Sequence, residues 1–132
     1  MGWQFPLIIP SGVMVTILGN LIENATESLN KSTRKQKEIH VSILEEPEGL
    51  LLCVEDTGPG ILPELLPYIF EPGVSTKGEA GHGLGLVQIK DLTDLYHGQI
   101  RVESEPKAGT SFFLSFPAHP TPPPQGGAPG SP

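Results

Sequence analysis

Seven of the chain's 16 glycines fall between Gly58 and Gly85. Glycine gathers where a backbone must turn sharply or come close to a ligand, because it has no Cβ to forbid either. The last of them form Gly81-His82-Gly83-Leu84-Gly85-Leu86 and run straight into a segment of helical periodicity. Alternating glycines ahead of a helix aim backbone N–H groups and the positive end of the helix dipole at one point, which suits phosphate. The spacing is not the dinucleotide fingerprint, since GxGxxG is absent and no strand immediately precedes it. Nor is it a Walker A loop, since no Lys-Ser/Thr follows the last glycine.

The rest of the chain predicts what this loop is mounted on. Residues 12–30 read as a helix. At about 100° per residue, Leu18, Leu21, Ile22, Ala25 and Leu29 make one apolar stripe. Asn20, Asn24, Glu27 and Lys31 gather on the opposite side, with Glu23 beside them. Ile39, Val41 and Ile43 alternate with His40 and Ser42, as in a half-buried strand. After a turn at 45–49, Leu50 to Glu55 is a continuous apolar run, as in a central strand covered on both faces or nearly so. Residues 63–69 read as a short helix, 70–82 as loop, and 84–96 as a helix with Leu84, Leu92, Leu95 and Tyr96 on one side. Ile100 and Val102, then Phe112, Leu114 and Phe116, give two more strands. This order predicts an α/β two-layer sandwich.

Composition narrows the function classes. A chain of 132 residues supports one domain. Eight basic against 15 acidic residues give a net charge of −7, which excludes an electrostatic nucleic-acid binder. The one basic cluster, Lys31, Arg34, Lys35 and Lys37, reads as a solvated loop after a helix. The single Cys53 reads as a buried strand thiol, so no disulfide framework or cysteine metal site forms. The apolar stretches fall far short of the ~18 residues of a membrane span. The start Met1-Gly2-Trp3-Gln4 has no signal-peptide pattern. A soluble, cytoplasmic, monomeric domain without direct membrane contact is expected. From Pro117 to Pro132, ten of sixteen residues are Pro or Gly. Residues 118–132 are therefore expected to be a disordered tail. The domain itself is expected at 10–117, after an N-terminal extension or first strand at 1–9.

Two further stretches carry chemistry. Asn20-x-x-x-Asn24 repeats an amide one turn apart, and amide oxygens are hard neutral ligands that suit Mg²⁺. Solvent-facing asparagines would look the same. Glu55-Asp56-Thr57-Gly58-Pro59-Gly60 puts an acceptor at the end of a buried strand, with glycines that leave room for a flat ring. An ordinary Asp-x-Gly turn would also look the same.

In order along the chain, "LGNLIENA", "VEDTGPGI", "IFEPGVSTK", "GHGLGL" and "GTSFFLSF" closely resemble the ATP-binding catalytic domain of bacterial sensor histidine kinases. That superfamily is shared with gyrase B, Hsp90 and MutL, and the "TILGNLIENA" wording looks most like the citrate and C4-dicarboxylate sensor branch. The resemblance spans about residues 10–117. It implies a Bergerat-type fold: a mixed sheet covered on one face by helices, with a short ATP lid. By the same resemblance, Asn24 is the principal Mg²⁺ ligand and Asn20 assists. Asp56 reads the adenine amine, Gly58 and Gly60 shape the pocket, and Ile61 packs near the base. Thr110 helps hold an adenine-side water. Phe70 anchors the lid, and Thr76 and Lys77 lie in the lid, from which Lys77 reaches the terminal phosphates. Gly81, Gly83 and Gly85, with the backbone of His82 and Leu84 and with Leu86 following, cradle the phosphates. Residues 71–81 are expected to be the least ordered part of the domain without ATP.

The implied reaction passes the ATP γ-phosphoryl group to a histidine imidazole, mostly by positioning and charge neutralisation. Glu23 is a candidate to orient or deprotonate the imidazole. The acceptor histidine belongs to a separate dimerisation domain in this family, and a response regulator is the next partner. His40 and His97 read as structural or exposed, His82 lies in the glycine loop, and His119 lies in the tail. The chain is thus expected to bind Mg·ATP without phosphorylating itself. One departure stands out: many of these kinases carry Lys, Arg or His where Glu27 stands, and Lys31, one turn on, is placed to substitute. Three alternatives remain: a non-catalytic docking module, an ATPase of the gyrase or MutL kind, which has a catalytic Glu where Asn20 stands, and a serine kinase of the same superfamily.

Overall fold

Alternating β-branched, leucine and phenylalanine positions build two hairpins. Ile39–Glu46 (β1) and Gly49–Asp56 (β2) meet across Pro47-Glu48. Gln99–Glu105 (β3) and Gly109–Pro117 (β4) meet across Pro106-Lys107-Ala108. The computed structural model describes residues 9–71 and 84–118. Ser11–Asn30 (α1) precedes the first hairpin and Leu84–Leu95 (α2) precedes the second. The strand order is β1-β2-β4-β3, and all three pairings are antiparallel. The sheet expected to be mixed is therefore antiparallel among the described residues. The physical reason is the second hairpin: β3 runs in the direction of β2, and β4 folds back between them, antiparallel to both.

The helices cover one face of this sheet. Register places Leu50 opposite Phe116, Leu52 opposite Leu114, and Val54 opposite Phe112. All six are at most 3% exposed and face Ile17, Leu21 and Ala25 of α1 and Leu86 and Ile89 of α2. On the other face Cys53 is buried while Leu51 and Glu55 are half-buried, so β2 is nearly enclosed, as its apolar run predicts. Burial, and next the nearby Glu55 carboxylate, push the Cys53 thiol up to about 11. On that outer face the Arg101 guanidinium lies over the Phe113 ring, 4.3 Å from its centroid.

Four sequence expectations shift in detail. The buried row of α1 is Ile17, Leu21, Ala25 and Leu29, while Ile22 is 37% exposed. A long helix crossing a twisted sheet touches it along an i, i+4 ridge, and that ridge drifts around the wheel instead of holding one angle. On α2 the buried residues are Leu86, Ile89 and Thr93, with Leu92 and Tyr96 packed against the core, and Leu95 is 64% exposed. On β1, Val41 and Ile43 pair with Val54 and Leu52, yet stay 43% and 48% exposed. Their strand is the sheet edge, and α1 lies over β2 rather than over it. The short helix expected at 63–69 is a turn followed by a 3-10 segment at Leu66–Tyr68.

Two residues beyond the end of α2, His97 adopts a φ of 64°. The Gly98 amide donates to Thr93 O at 2.8 Å and the His97 amide to Asp94 O at 3.1 Å. These two bonds close the last turn as glycine-capped helices do, and they aim the chain into β3.

Candidate functional site

The site begins on α1. Beside its buried ridge runs a second i, i+4 row, Thr16, Asn20, Asn24 and Ser28, and each of the four is half-buried. The polar groups therefore border the core stripe and do not sit opposite it. Asn20 Nδ2 donates to Gln88 Oε1 of α2 at 3.1 Å, which leaves the carbonyl oxygen Oδ1 as the acceptor end of that amide. Oδ1 lies 3.6 Å from where a side-chain carbon on Gly85 would begin.

Asp56 closes β2 and is 6% exposed. Its Oδ1 accepts the Gly58 amide at 2.8 Å and the Ser28 hydroxyl at 3.4 Å. Burial pushes its carboxyl above the usual carboxylate range, while the Gly58 amide, the Ser28 hydroxyl and the Thr110 amide pull the other way. A buried acceptor at a strand end, held on one oxygen by a backbone amide and a hydroxyl, is set up to take a hydrogen bond from a ligand.

The walls around Asp56 are fixed by backbone. Gly60 has φ +83°, and a Cβ there would stand 2.3 Å from Glu105 O. Gly109 has φ +123°, and a Cβ there would stand 2.1 Å from Asp56 O. Neither position admits another residue without moving the chain. The Lys107 amide donates to Pro59 O at 2.7 Å, and Arg34 Nη1 donates to Thr57 O at 3.2 Å and Lys107 O at 3.3 Å. Arg34, expected as part of a solvated cluster, ties the loop after β2 to the β3–β4 turn.

Between α1, the end of β2 and the start of α2 lies a recess of about 90 Å³. Its polar lining is Asn24, Ser28, Lys31, Asp56 and Thr110, and its apolar lining is Ile61, Leu62, Leu65 and Leu86, with Pro59 and Gly60 closing one side. A wider hollow of about 390 Å³ sits by Gly49, Phe116 and His97. Size does not decide between them; the convergence of a buried acceptor, a hydroxyl and an amide on apolar walls favours the smaller one.

Of the residues expected at the site, the structure brings Asn24, Asp56, Gly60, Ile61, Leu86 and Thr110 to this recess. Gly58 packs against Asp56 and Ser28 just behind it, where a Cβ would stand 2.2 Å from Ser28 Oγ. Asn20 and Gly85 adjoin each other one turn further along α1. Leu84 is the first residue of α2. Phe70 is half-buried and meets Phe112 edge to face at 6.4 Å, and neither ring is part of the recess lining. Glu23 is exposed on α1, outside the recess lining. Thr76, Lys77, Gly81, His82 and Gly83 lie outside the described residues, as do His119 and residues 1–8.

Ser28, Leu62, Leu65, Arg34 and Ser104 were not singled out from the sequence as site residues. Ser28 carried a signal: it stands four residues after Asn24, as Asn24 does after Asn20. The other four depend on which loops meet, and spacing does not show that.

The residues present fit an adenine nucleotide and its cation. Asp56 offers an acceptor for an amine, Ile61 and Leu86 offer flat apolar contact, and Asn24 and Asn20 supply hard amide oxygens on the same helix row. A family model described as "Histidine kinase-, DNA gyrase B-, and HSP90-like ATPase" matches residues 11–120. The sensor histidine kinase DcuS of Escherichia coli (strain K12) is 46% identical over 105 residues, 79% of this chain and 19% of its own length. A probable C4-dicarboxylate sensor kinase of Bacillus subtilis (strain 168) is 37% identical over 114 residues, 86% of this chain and 21% of its own length. The chain thus spans about a fifth of the length of these curated relatives. Among solved structures, the catalytic domain of histidine kinase ThkA is similar with a TM-score of 0.66 at 29% identity, covering 83% of this chain and 68% of that one. The mycobacterial sensor histidine kinase MprB shares the fold with a TM-score of 0.69 at 24% identity, covering 84% and 76%. The helix-on-sheet architecture and the match over most of the chain agree with the resemblance carried by the motifs. The chain belongs to the histidine kinase-, DNA gyrase B- and HSP90-like ATPase family.

Proposed function

We propose that this domain binds Mg·ATP in the recess between α1, β2 and α2 and donates the γ-phosphoryl group to a histidine on a separate dimerisation domain. The observation that carries this reading is Asp56: a buried carboxylate at a strand end, in a recess shared with Asn24 and Thr110. Asp56 accepts the exocyclic amine of adenine, and Ile61 and Leu86 hold the ring. The Asn24 and Asn20 amide oxygens hold the cation, which when bound neutralises charge on the phosphates. Gly85 and the start of α2 leave space beside Asn20 for the phosphate chain. Among the described histidines, His40 is exposed beside Glu38, and His97 caps α2. Neither is among the residues that line the recess. In this reading, as the family resemblance implies, the acceptor is supplied from outside this domain, and a response regulator takes the phosphoryl group onward. No helix among the described residues is long and apolar enough to cross a membrane. We place the domain on the cytoplasmic side of a membrane-bound sensor kinase of the C4-dicarboxylate or citrate branch.

Calorimetric titration of ATP, with and without Mg²⁺, tests the binding half. Micromolar affinity that Asp56→Asn removes supports it, and absence of binding moves the docking-module alternative ahead. Incubation with γ-labelled ATP tests the transfer half. Label is expected on an added dimerisation hairpin and not on this chain alone, and stable label on the isolated chain overturns the assignment of the acceptor.

A further inference from the structure

Behind the recess wall sits one hydroxyl that touches two of its lining residues. Ser104 of β3 pairs with Thr110 of β4 and is half-buried outside the recess lining. Its Oγ accepts the Ile61 amide at 2.7 Å. It stands 3.0 Å from Thr110 Oγ1 and 3.2 Å from Gly109 O. Thr110 is 4% exposed, so its hydroxyl has few other partners to choose from.

Proton counting gives this cluster two states. Ser104 already accepts from Ile61 and has one proton to give. If it donates to Gly109 O, the Thr110 hydroxyl donates back to Ser104 and shows the recess only lone pairs. If it donates to Thr110 Oγ1, the Thr110 proton is released toward the recess. The two states differ in what base they accept. Beside its amine, adenine presents a bare ring nitrogen, which needs a donor. A 6-keto purine presents a keto oxygen and a ring N–H, the reverse pattern, and Asp56 as a carboxylate has no proton for the keto oxygen.

We propose that Ser104 is a positioning residue that sets the purine selectivity of this site by donating to Thr110, so that the Thr110 hydroxyl serves as a donor toward the base or a water on it. This rests on the adenine-nucleotide reading of the recess. The Ile61 bond adds a second effect, because the same oxygen holds the residue that packs on the ring.

The experiment compares Kd for ATP and inosine triphosphate on the full chain, with thermal melts as the folding control. For Ser104→Ala the expected result is a fivefold to tenfold fall in the ratio of ATP to inosine triphosphate affinity, because the Thr110 hydroxyl, no longer held as a donor, accepts from the ring N–H as readily as it gives to the bare ring nitrogen. Ser104→Thr restores the selectivity. Thr110→Val loses the same selectivity, and adding Ser104→Ala to it changes the ratio no further. Ser104→Cys keeps the shape with a weaker donor and must show the same direction, which covers the case of an unfolded alanine variant. Equal weakening of both nucleotides by Ser104→Ala or Ser104→Cys assigns Ser104 a merely structural role and overturns the proposal. Wild-type protein that binds neither nucleotide, or both equally, overturns the adenine reading beneath it.

Discussion

The two ends of the recess are built by different means. At the base end, the loop after β2 and the β3–β4 turn are locked by backbone: Gly60 against Glu105 O, Gly109 against Asp56 O, Lys107 to Pro59, and Arg34 to both segments. At the end proposed for phosphate, the described groups are side chains on a helix row, Asn20 and Asn24, with Asn20 beside Gly85, where a Cβ would meet nothing closer than 3.6 Å among the described residues. Parts of the first end are parts of the fold. Parts of the second end are carried by the fold and can be changed without disturbing it. Substitution should therefore separate stability from binding differently at each end.

The largest contrast is between two glycines. Gly109→Ala puts a side-chain carbon 2.1 Å from Asp56 O at a positive φ, and should destabilise by about 3 kcal/mol or more. For a domain of this size that is a fall in Tm on the order of 10–20 °C, with nucleotide binding lost alongside. Gly85→Ala lies in the first turn of α2 with room for a methyl group, so its Tm should hold or rise slightly, as a helical Gly→Ala change allows. Its ATP affinity should still drop about fivefold or more. Melting curves and titrations on both variants decide. Equal losses of stability would erase the distinction between the ends.

Asp56 tests whether the base end also contains a group that serves binding at the expense of stability. Its carboxyl is raised by burial, so the folded protein holds that proton more tightly than the unfolded chain. The stabilising contribution of this group is full below its unfolded value and is lost as pH rises through the folded one. Asp56→Asn lacks that titration. Wild type should gain Tm relative to Asp56→Asn as pH falls from 7 toward 4, whereas ATP binding at pH 7 should be at least tenfold weaker in the variant. A stability difference that does not change with pH would mean the carboxyl is not penalised by its surroundings.

What was legible in the sequence follows the same division. Asp56 at a strand end, the Asn20–Asn24 repeat and the Phe112, Leu114 and Phe116 alternation are local patterns, and local patterns survive folding. The order of elements was legible too, because each element has its own period. What stayed hidden depends on which elements meet. Ile17 rather than Ile22 is buried because α1 crosses the sheet along a drifting ridge, and Val41 and Ile43 stay exposed because their strand is an edge. Arg34 looked like one of four solvated cations until the β3–β4 turn arrived beside it. Ser104 is one polar residue among several in β3, and only its register opposite Thr110 gives it a role.

At the phosphate end, Asn24→Ala should leave Tm within a degree or two, since half-buried helix-surface changes are mild. Its ATP affinity should fall about tenfold with Mg²⁺ present and hardly at all without it. Asn20→Ala should show the same pattern to a smaller degree. If either variant loses affinity equally with and without Mg²⁺, the amides are not cation ligands.

The smallest effect should come where the two ends touch. Ser28 belongs to the helix row, yet its hydroxyl reaches Asp56 Oδ1 at 3.4 Å, near the limit of a hydrogen bond. The Gly58 amide holds the same oxygen at 2.8 Å and is the stronger partner. Ser28→Ala should therefore cost about 0.5 kcal/mol or less in stability and about twofold in ATP affinity, and it should raise the Asp56 carboxyl slightly further by removing one of its donors. A tenfold loss of affinity from Ser28→Ala would show that α1 sets the carboxylate as much as β2 does, and the two ends would then work as one unit.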